Sequence, residues 1–348
     1  MNSSVVGKKR NGNGAGSRRR SYVLARITDS HLGDLNAAKR LVDAAVQSGC
    51  DAIRLDKRSA EQGVVRSVLD RPLLKYPRLG RTVRGVAQGL EYSPEALREL
   101  RDYCAGRVDF VVAPFTLDSL AVADALDPDG LMVDAVAASN WPLLHAMARR
   151  QKRVFLATGL LTEAEIEEAV ELFNGHNLAL LHSVFLKPFE VNLAYLGVVA
   201  WLEQFGRRVG YTDNEPGVTM VMGALGLGAS VIEKALTLDK DLDLPRGGGL
   251  SPAEMGRLVA TIRETDKEPL ADVRKKLIAA QSDTFDDDQV SLVAARAIPA
   301  GTVLTEDLLS LKAPYRGLSP RLAPEVVGKK VLYDLEPDDF ITFGMIEL

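Results

Sequence analysis

Carboxylate and imidazole side chains follow several short apolar runs of the chain. These groups are the ones that most often transfer protons in enzymes, so residues just beyond such runs are candidate catalytic groups. The candidates are Asp29, His31, Asp56, His182 and Asp213. For His31 the alternative is a cap of a turn, and for His182 a buried structural imidazole. Asp29, His31 and Asp56 could also form a small metal site of their own.

The apolar runs predict eight strands, because most lack strict alternation and so resemble strands that are buried on both faces. Helical patterns lie between them: Leu35–Ser48 ends at Gly49, and Ser93, Thr162 and Ser251 stand where N-caps are expected. The predicted strands are Tyr22–Ile27, Ala52–Leu55, Asp109–Val112, Gly130–Val133, Arg153–Ala157, Leu178–Leu181, Arg208–Tyr211 and Ser230–Glu233.

Repeated strand–helix units of this kind close most simply into a (β/α)₈ TIM barrel, which we place at residues 22–266. A doubly wound open sheet is the alternative. An acidic linker follows at 267–290, and a small β-rich module at 291–348 contains β-like runs at Ser291–Ala295, Thr302–Leu304 and Leu309–Leu311. Such a short module has a small core and is expected to need support from the barrel or another subunit.

Composition narrows the class of protein. The 348 residues carry a formal charge of -4, yet the first twenty include six basic and no acidic side chains. We interpret residues 1–21 as a disordered basic tail. The remaining residues are acidic, so nucleic acid is not an expected partner. No apolar run is long enough to span a membrane, and Cys50 and Cys104 are expected to be reduced thiols, which together indicate a cytoplasmic protein.

Several sequence blocks together resemble the sialic acid (N-acetylneuraminate) synthase family, which also makes legionaminic and pseudaminic acids. The last 58 residues resemble its antifreeze-like (SAF) domain, through Ser291–Ala295, Ile298–Leu304 and Gly328-Lys329-Lys330. The blocks of the barrel are His31-Leu32-Gly33-Asp34-Leu35, Ala113-Pro114-Phe115, Ala157-Thr158-Gly159, Leu180-Leu181-His182, Gly210-Tyr211-Thr212-Asp213 and Gly228–Lys234.

The resemblance implies an enzyme that condenses phosphoenolpyruvate with an N-acyl amino sugar, using a divalent metal such as Mn²⁺ or Mg²⁺. The two histidine ligands of the family align with Asn214 and Ala235, so no metal or other cofactor is expected here. Groups that hold phosphoenolpyruvate in the family are also replaced. They align with Ala113, Met132, Ala135, Ala137 and Ala157.

Cations stand at several positions that the family uses for its substrates. Arg54 replaces a lysine and Arg26 a glutamate, while Arg316 lies near the Arg-Pro block of the SAF domain. The candidate substrate-binding residues are Arg26, Arg54, Lys187, Arg246 and Arg316.

Three functions remain open. The first is a divergent family member in nonulosonic acid or surface carbohydrate biosynthesis, in which the standard condensation is doubtful. The second is a non-catalytic partner of an active paralogue, and the third is a repurposed barrel that acts on another anionic substrate. The resemblance implies a homodimer in which each SAF domain covers the partner's barrel; a heteromer with a paralogue is the other possible assembly.

Overall fold

The computed structural model describes residues 20–184, 189–240, 249–267 and 287–347. Lys187, Arg246, residues 1–19 of the basic tail and residues 268–286 of the linker lie outside them. The chain forms two compact units, Met1–Ala271 and Asp272–Leu348. Within the described residues, no helix is long and apolar enough to cross a lipid bilayer.

The first unit is a closed barrel of eight parallel strands, which confirms the predicted fold class. Each strand pairs with the next, and β1 pairs with β8 through Tyr22↔Val231 and Arg26↔Ala235, so the open-sheet alternative is wrong. The strands are β1 Tyr22–Arg26, β2 Ala52–Lys57, β3 Asp109–Pro114, β4 Gly130–Val133, β5 Arg153–Ala157, β6 Leu178–Ser183, β7 Arg208–Asp213 and β8 Val231–Ala235.

Several of the longer helices begin where a capping side chain accepts one of the first free backbone N–H groups. Asp34 caps the first long helix, and Thr162 with Glu165, like Ser251 with Glu254, forms a capping box. The helices of this unit are α1 Leu35–Gln47, α2 Ala60–Gly63, α3 Arg66–Leu69, α4 Val83–Leu90, α5 Pro94–Cys104, α6 Leu117–Leu126, α7 Trp141–Ala148, α8 Glu163–Leu172, α9 Gly197–Leu202, α10 Thr219–Gly226 and α11 Pro252–Thr265.

Successive side chains of each strand face alternately outward and into the barrel, and this divides the core of the barrel into two layers. Outward-facing side chains such as Val23, Ile53 and Tyr211 pack against the helices. A second cluster fills the barrel interior with Leu24, Phe155 and their neighbours. Because successive residues of a strand face opposite ways, this parity decides which side chains near the strand ends face the barrel mouth.

The second unit has its own core, which includes Leu292, Ile298 and Ile341. Its antiparallel strands β9 Ser291–Ala294 and β10 Leu309–Lys312 match two of the predicted runs. The third run, Thr302–Leu304, is not a strand: Val303 forms an isolated bridge to Lys330. A short helix, α12, spans Ala323–Val326.

Candidate functional site

Arg54 lies inside the carboxyl-terminal half of the barrel and is completely buried. Its Nη1 donates to Glu233 Oε1 at 2.6 Å, and its Nη2 donates to Asp56 Oδ1 at 2.6 Å and to Asp134 Oδ2 at 2.5 Å. These residues come from β2, from β8 and from the position after β4. We call Arg54, Asp56, Asp134 and Glu233 the arginine cage.

The arginine cage brings three carboxylates to one guanidinium, and Arg58, just after β2, adds a second cation by donating from its Nη2 to Asp56 Oδ2 at 3.1 Å. Burial opposes the charged guanidinium, but attraction from Asp56, Glu233 and Asp134 raises the pKa of Arg54 well above its ordinary value. Arg54 Nε and Glu233 Oε2 are buried without a hydrogen-bond partner in the described part of the chain. Arg54 is therefore a fixed cation that three carboxylates already surround.

A second buried ion pair lies on the other face of the barrel wall. Lys234 Nζ donates to Asp213 Oδ2 at 2.6 Å, and both side chains are fully buried. Lys234 also donates to the backbone carbonyls of Glu215 and Gly217. Burial raises the pKa of Asp213 and lowers that of Lys234, while their mutual attraction opposes both shifts. The Asp213–Lys234 ion pair thus connects β7 to β8, and the bonds of Lys234 to Glu215 and Gly217 connect β8 to the loop after β7.

His182 also faces outward. It lies two residues after Leu180 and four after Leu178 on β6, and both leucines belong to the outer core, so all three side chains are on the same face of the strand. Its Nε2 lies 2.8 Å from the carbonyl oxygen of Ala194, and its ring is 5.9 Å from that of Tyr211. Burial lowers the pKa of His182. Its environment is that of a structural imidazole.

His31 lies in the turn after β1 and is buried beside Tyr92, with 4.7 Å between the ring centroids. Its Nδ1 accepts the backbone N–H of Gly33 at 2.9 Å, so the neutral ring carries its proton on Nε2. Burial lowers the pKa of His31 to about 4, although Asp56 acts in the opposite direction. His31 is therefore neutral near pH 7 and caps the turn.

Replacing His31 by asparagine should reduce the acid sensitivity of the fold. The folded pKa of His31 is about 4, against 6.5 for an ordinary histidine, so its contribution to stability is complete above 6.5 and falls as the pH drops towards 4. From about pH 7.5 to about pH 5 the native chain should lose about 2 kcal/mol through this group.

The asparagine variant should lack that loss, because its Oδ1 can still accept the N–H of Gly33 but does not titrate. Urea unfolding at the two pH values measures the difference. The exposed His145→Asn change is the control and should leave the pH dependence of the native chain intact. An unchanged pH dependence in His31→Asn would contradict the assignment.

A small cavity opens at the barrel mouth, with a volume of about 150 Å³. Arg26, which is 2% exposed, contributes its side chain, and its Nη2 donates to Asn214 Oδ1 at 2.9 Å. The amide nitrogen of Asn214 donates to the carbonyl oxygen of Val184. The lining residues are Arg26, Asp134, Ala135, Val136, Ala157, Gly159, Leu160, Ser183, Thr212 and Asn214.

Comparisons with known proteins identify the scaffold. The sequence model of the NeuB family matches residues 41–295, and that of the SAF domain matches residues 289–347. The chain belongs to the NeuB family. It is 30% identical over 332 residues to N,N'-diacetyllegionaminic acid synthase of Campylobacter jejuni, an alignment that covers 93% of this chain and 99% of the relative.

A second relative agrees with the family assignment, and a solved structure shares the fold. Human N-acetylneuraminate-9-phosphate synthase is 28% identical over 345 residues, which cover 97% of this chain and 95% of the human protein. A crystal structure of a putative spore coat polysaccharide biosynthesis protein E from Chromobacterium violaceum shares the fold, with a TM-score of 0.72 and 21% identity. It covers 94% of this chain and 100% of the other.

Asn214 and Ala235, which the resemblance aligns with the two histidine ligands of the family, do not fit a divalent metal in this chain. Both ends of the Asn214 amide are engaged, its oxygen by the cationic guanidinium of Arg26. Ala235 offers only a methyl group, and it lies beside Arg26 in the β1–β8 register. Across the described segments, no three His, Cys, Asp or Glu side chains are arranged to hold a metal, so Asp29, His31 and Asp56 do not form such a group.

The structure brings together only some of the residues that the sequence singled out. Arg54 and Asp56 meet in the arginine cage, and Arg26 lines the nearby cavity. Asp29 lies in the turn after β1 with a φ of 65°, whereas Arg316 belongs to the second unit, where its backbone N–H donates to Ser291 Oγ. Lys187 and Arg246 lie outside the described residues.

Sequence reasoning missed four residues that shape the site: Asp134, Thr212, Glu233 and Lys234. A signal for two of them was present, since Glu233 and Lys234 interrupt the apolar strand Val231–Ala235 and a buried charge requires a partner. Asp134 gives a related signal, because it is a carboxylate that directly follows the apolar strand β4. Thr212 gives no comparable signal, because threonine is common in strands.

Proposed function

We propose that this NeuB-family chain acts in nonulosonic acid or surface carbohydrate biosynthesis without itself condensing phosphoenolpyruvate with an amino sugar. The observation that carries the proposal is the arginine cage. Arg54, which stands at the family's lysine position, is surrounded by three carboxylates instead of an open anion pocket. The names of the relatives support the pathway, since both curated relatives described above are synthases of nonulosonic acids.

The charges at the barrel mouth argue against binding of phosphoenolpyruvate. Among the described charges at the barrel mouth, Asp56, Asp134 and Glu233 already engage Arg54, and Asp56 also pairs with Arg58. A highly charged anion would gain fewer donors than the resemblance to the family implies, because Ala135 and Ala157 line the cavity at positions that align with serines of the family. Each missing charged hydrogen bond costs about 1.5–3 kcal/mol.

Phosphate release tests the proposal directly. Purified full-length chain is incubated with Mn²⁺ or Mg²⁺, phosphoenolpyruvate and N-acetylmannosamine or a related N-acyl sugar, and inorganic phosphate is measured. A NeuB-family synthase assayed in parallel is the positive control. We expect no sugar-dependent release above the protein-free rate. Turnover that depends on both the sugar and the metal would contradict the proposal.

A partner subunit is the second candidate function. Apolar side chains are exposed on loops at the mouth of the barrel, including Val136 at 54% and Leu160 at 67%. Such exposure suits an interface with a second subunit. We infer a cytoplasmic homodimer or a heteromer with an active paralogue. Light scattering of the purified chain, alone and mixed with the paralogue, distinguishes these assemblies from a monomer.

A further inference from the structure

A cleft lies on the outer side of the barrel, between α1 and the loop that joins α3 to α4. Its volume is about 570 Å³, which is within the usual range of small-molecule binding sites. The turn after β1 and residues 238–239 after β8 complete its border. The residues that line this cleft include none that line the mouth cavity and none of the arginine cage, so it is a separate site.

Two arginines of the cleft have no partner in the described part of the chain. Arg40 belongs to α1 and Arg78 to the loop between α3 and α4, and both line the cleft with exposed side chains. Neither side chain forms a hydrogen bond, an ion pair or a ring contact with the rest of the chain as described. Their guanidinium groups are therefore available to a ligand.

The other charges of the lining already have contacts of their own. Asp34 caps α1, with its Oδ1 accepting the backbone N–H of Asn36 at 2.8 Å. Lys75 and Asp239 are likewise engaged, Lys75 in part with the ring of the neighbouring Tyr76. Three basic side chains face two acidic ones across the lining, so the cleft has a net positive charge and favours an anion.

Apolar side chains cover much of the remaining lining. Leu32 comes from the turn after β1, Pro77 and Leu79 from the loop between α3 and α4, and Leu238 from the segment after β8. Leu238 is 40% exposed, so a ligand that packs on it removes apolar surface from water. A ligand that uses both features of the cleft has an anionic group and a compact apolar body.

We propose that this cleft binds a phosphate monoester with a small aromatic or aliphatic body. Its phosphate contacts Arg40 and Arg78, and its body packs on Pro77 and Leu238. A planar guanidinium can donate two parallel hydrogen bonds to a phosphate, and a phosphate monoester carries more charge near pH 7.5 than a carboxylate does. The inference goes beyond the proposed function and does not depend on it, because the cleft and the mouth cavity have different linings.

Calorimetric titration of the full-length chain with phenyl phosphate at low salt tests the inference. Three further probes each lack one feature: inorganic phosphate has no body, benzoate has a carboxylate in place of the phosphate, and benzyl alcohol has no charge. We expect saturable binding of phenyl phosphate and at least about tenfold weaker binding of the other three, since a hydrogen bond to a charged group or a buried apolar body has that value.

Four variants locate the site. Arg40→Gln and Arg78→Gln should each weaken binding of phenyl phosphate about tenfold. Leu238→Ser should weaken it about threefold and leave binding of inorganic phosphate unchanged, because it alters only the apolar contact. Arg257→Gln is the matched control, since Arg257 is an exposed helical arginine that does not line the cleft, and it should bind as the native chain does.

Thermal unfolding checks that the variants are folded, and neither glutamine change in the cleft should lower the midpoint, because both arginines are exposed and unpaired. Three outcomes would overturn the inference: no saturable binding of phenyl phosphate, binding that both glutamine variants leave unchanged, or equally tight binding of inorganic phosphate or benzoate. The proposed function is contradicted by a different readout, metal-dependent phosphate release, so the two can fail separately.

Discussion

Replacing Arg54 by methionine is expected to lower the free energy of unfolding by about 3–5 kcal/mol, the usual cost of removing one partner from a buried ion cluster. The change leaves Asp56, Asp134 and Glu233 without their shared cation inside the barrel, and of the three Asp56 keeps its ion pair with Arg58. Three carboxylates that repel one another in a poorly hydrated site then oppose folding. Urea unfolding near neutral pH, with Arg54→Met beside the native chain, measures the loss.

Two further variants separate charge from geometry. Arg54→Lys keeps one positive charge but loses the planar fork that reaches three carboxylates, so an intermediate loss is expected. Arg98→Met removes an exposed arginine that pairs with Glu95 at 2.9 Å, and it should change stability by no more than about 1 kcal/mol. If Arg54→Met were as stable as Arg98→Met, the arginine cage would not be a structural element.

Replacing Lys234 by methionine is expected to have a similarly large effect, about 3–5 kcal/mol, with a distinct pH dependence. Asp213 loses its partner, and the carbonyls of Glu215 and Gly217 lose a donor. Burial already raises the pKa of Asp213 above its ordinary value of 3.8, and without Lys234 only the backbone N–H of Glu215, which donates to Asp213 Oδ1 at 2.9 Å, is left to oppose the shift.

The sign of the pH effect follows from proton binding. Above about pH 4 the unfolded chain ionises Asp213 while the folded variant keeps the proton, so the variant loses stability as the pH rises. Urea unfolding of Lys234→Met at about pH 5 and about pH 8 should show the larger defect at the higher value. Adding Asp213→Asn removes the titrating group and should abolish this slope.

Lys240→Met is the matched surface control, because Lys240 is half exposed and pairs with Glu254 at 2.6 Å. It should cost no more than about 1 kcal/mol. A Lys234→Met variant whose defect did not grow with pH would show that Asp213 remains ionised in the folded chain.

The architecture was predictable because its signals are local. Apolar runs, spacing and capping residues such as Thr162 with Glu165 each specify an element within a few residues of sequence, and the eight strands were predicted within a few residues of their ends. Repetition of the strand–helix unit then leaves closure of the barrel as the simplest arrangement. The run Thr302–Leu304 was the exception, since short β-like runs depend on whether a neighbouring strand is present.

The amino-acid sequence alone determined the barrel, the small second module, the family resemblance and the identity of the residues near the strand ends. Only the tertiary structure decided what those residues do. A shift of one position along a strand moves a side chain to the opposite face, which places His182 and Asp213 in the outer layer and Arg26 and Arg54 inside. Two of the three partners of Arg54, Glu233 and Asp134, lie far from it in the sequence, so the sequence around Arg54 shows only one of the carboxylates that enclose it.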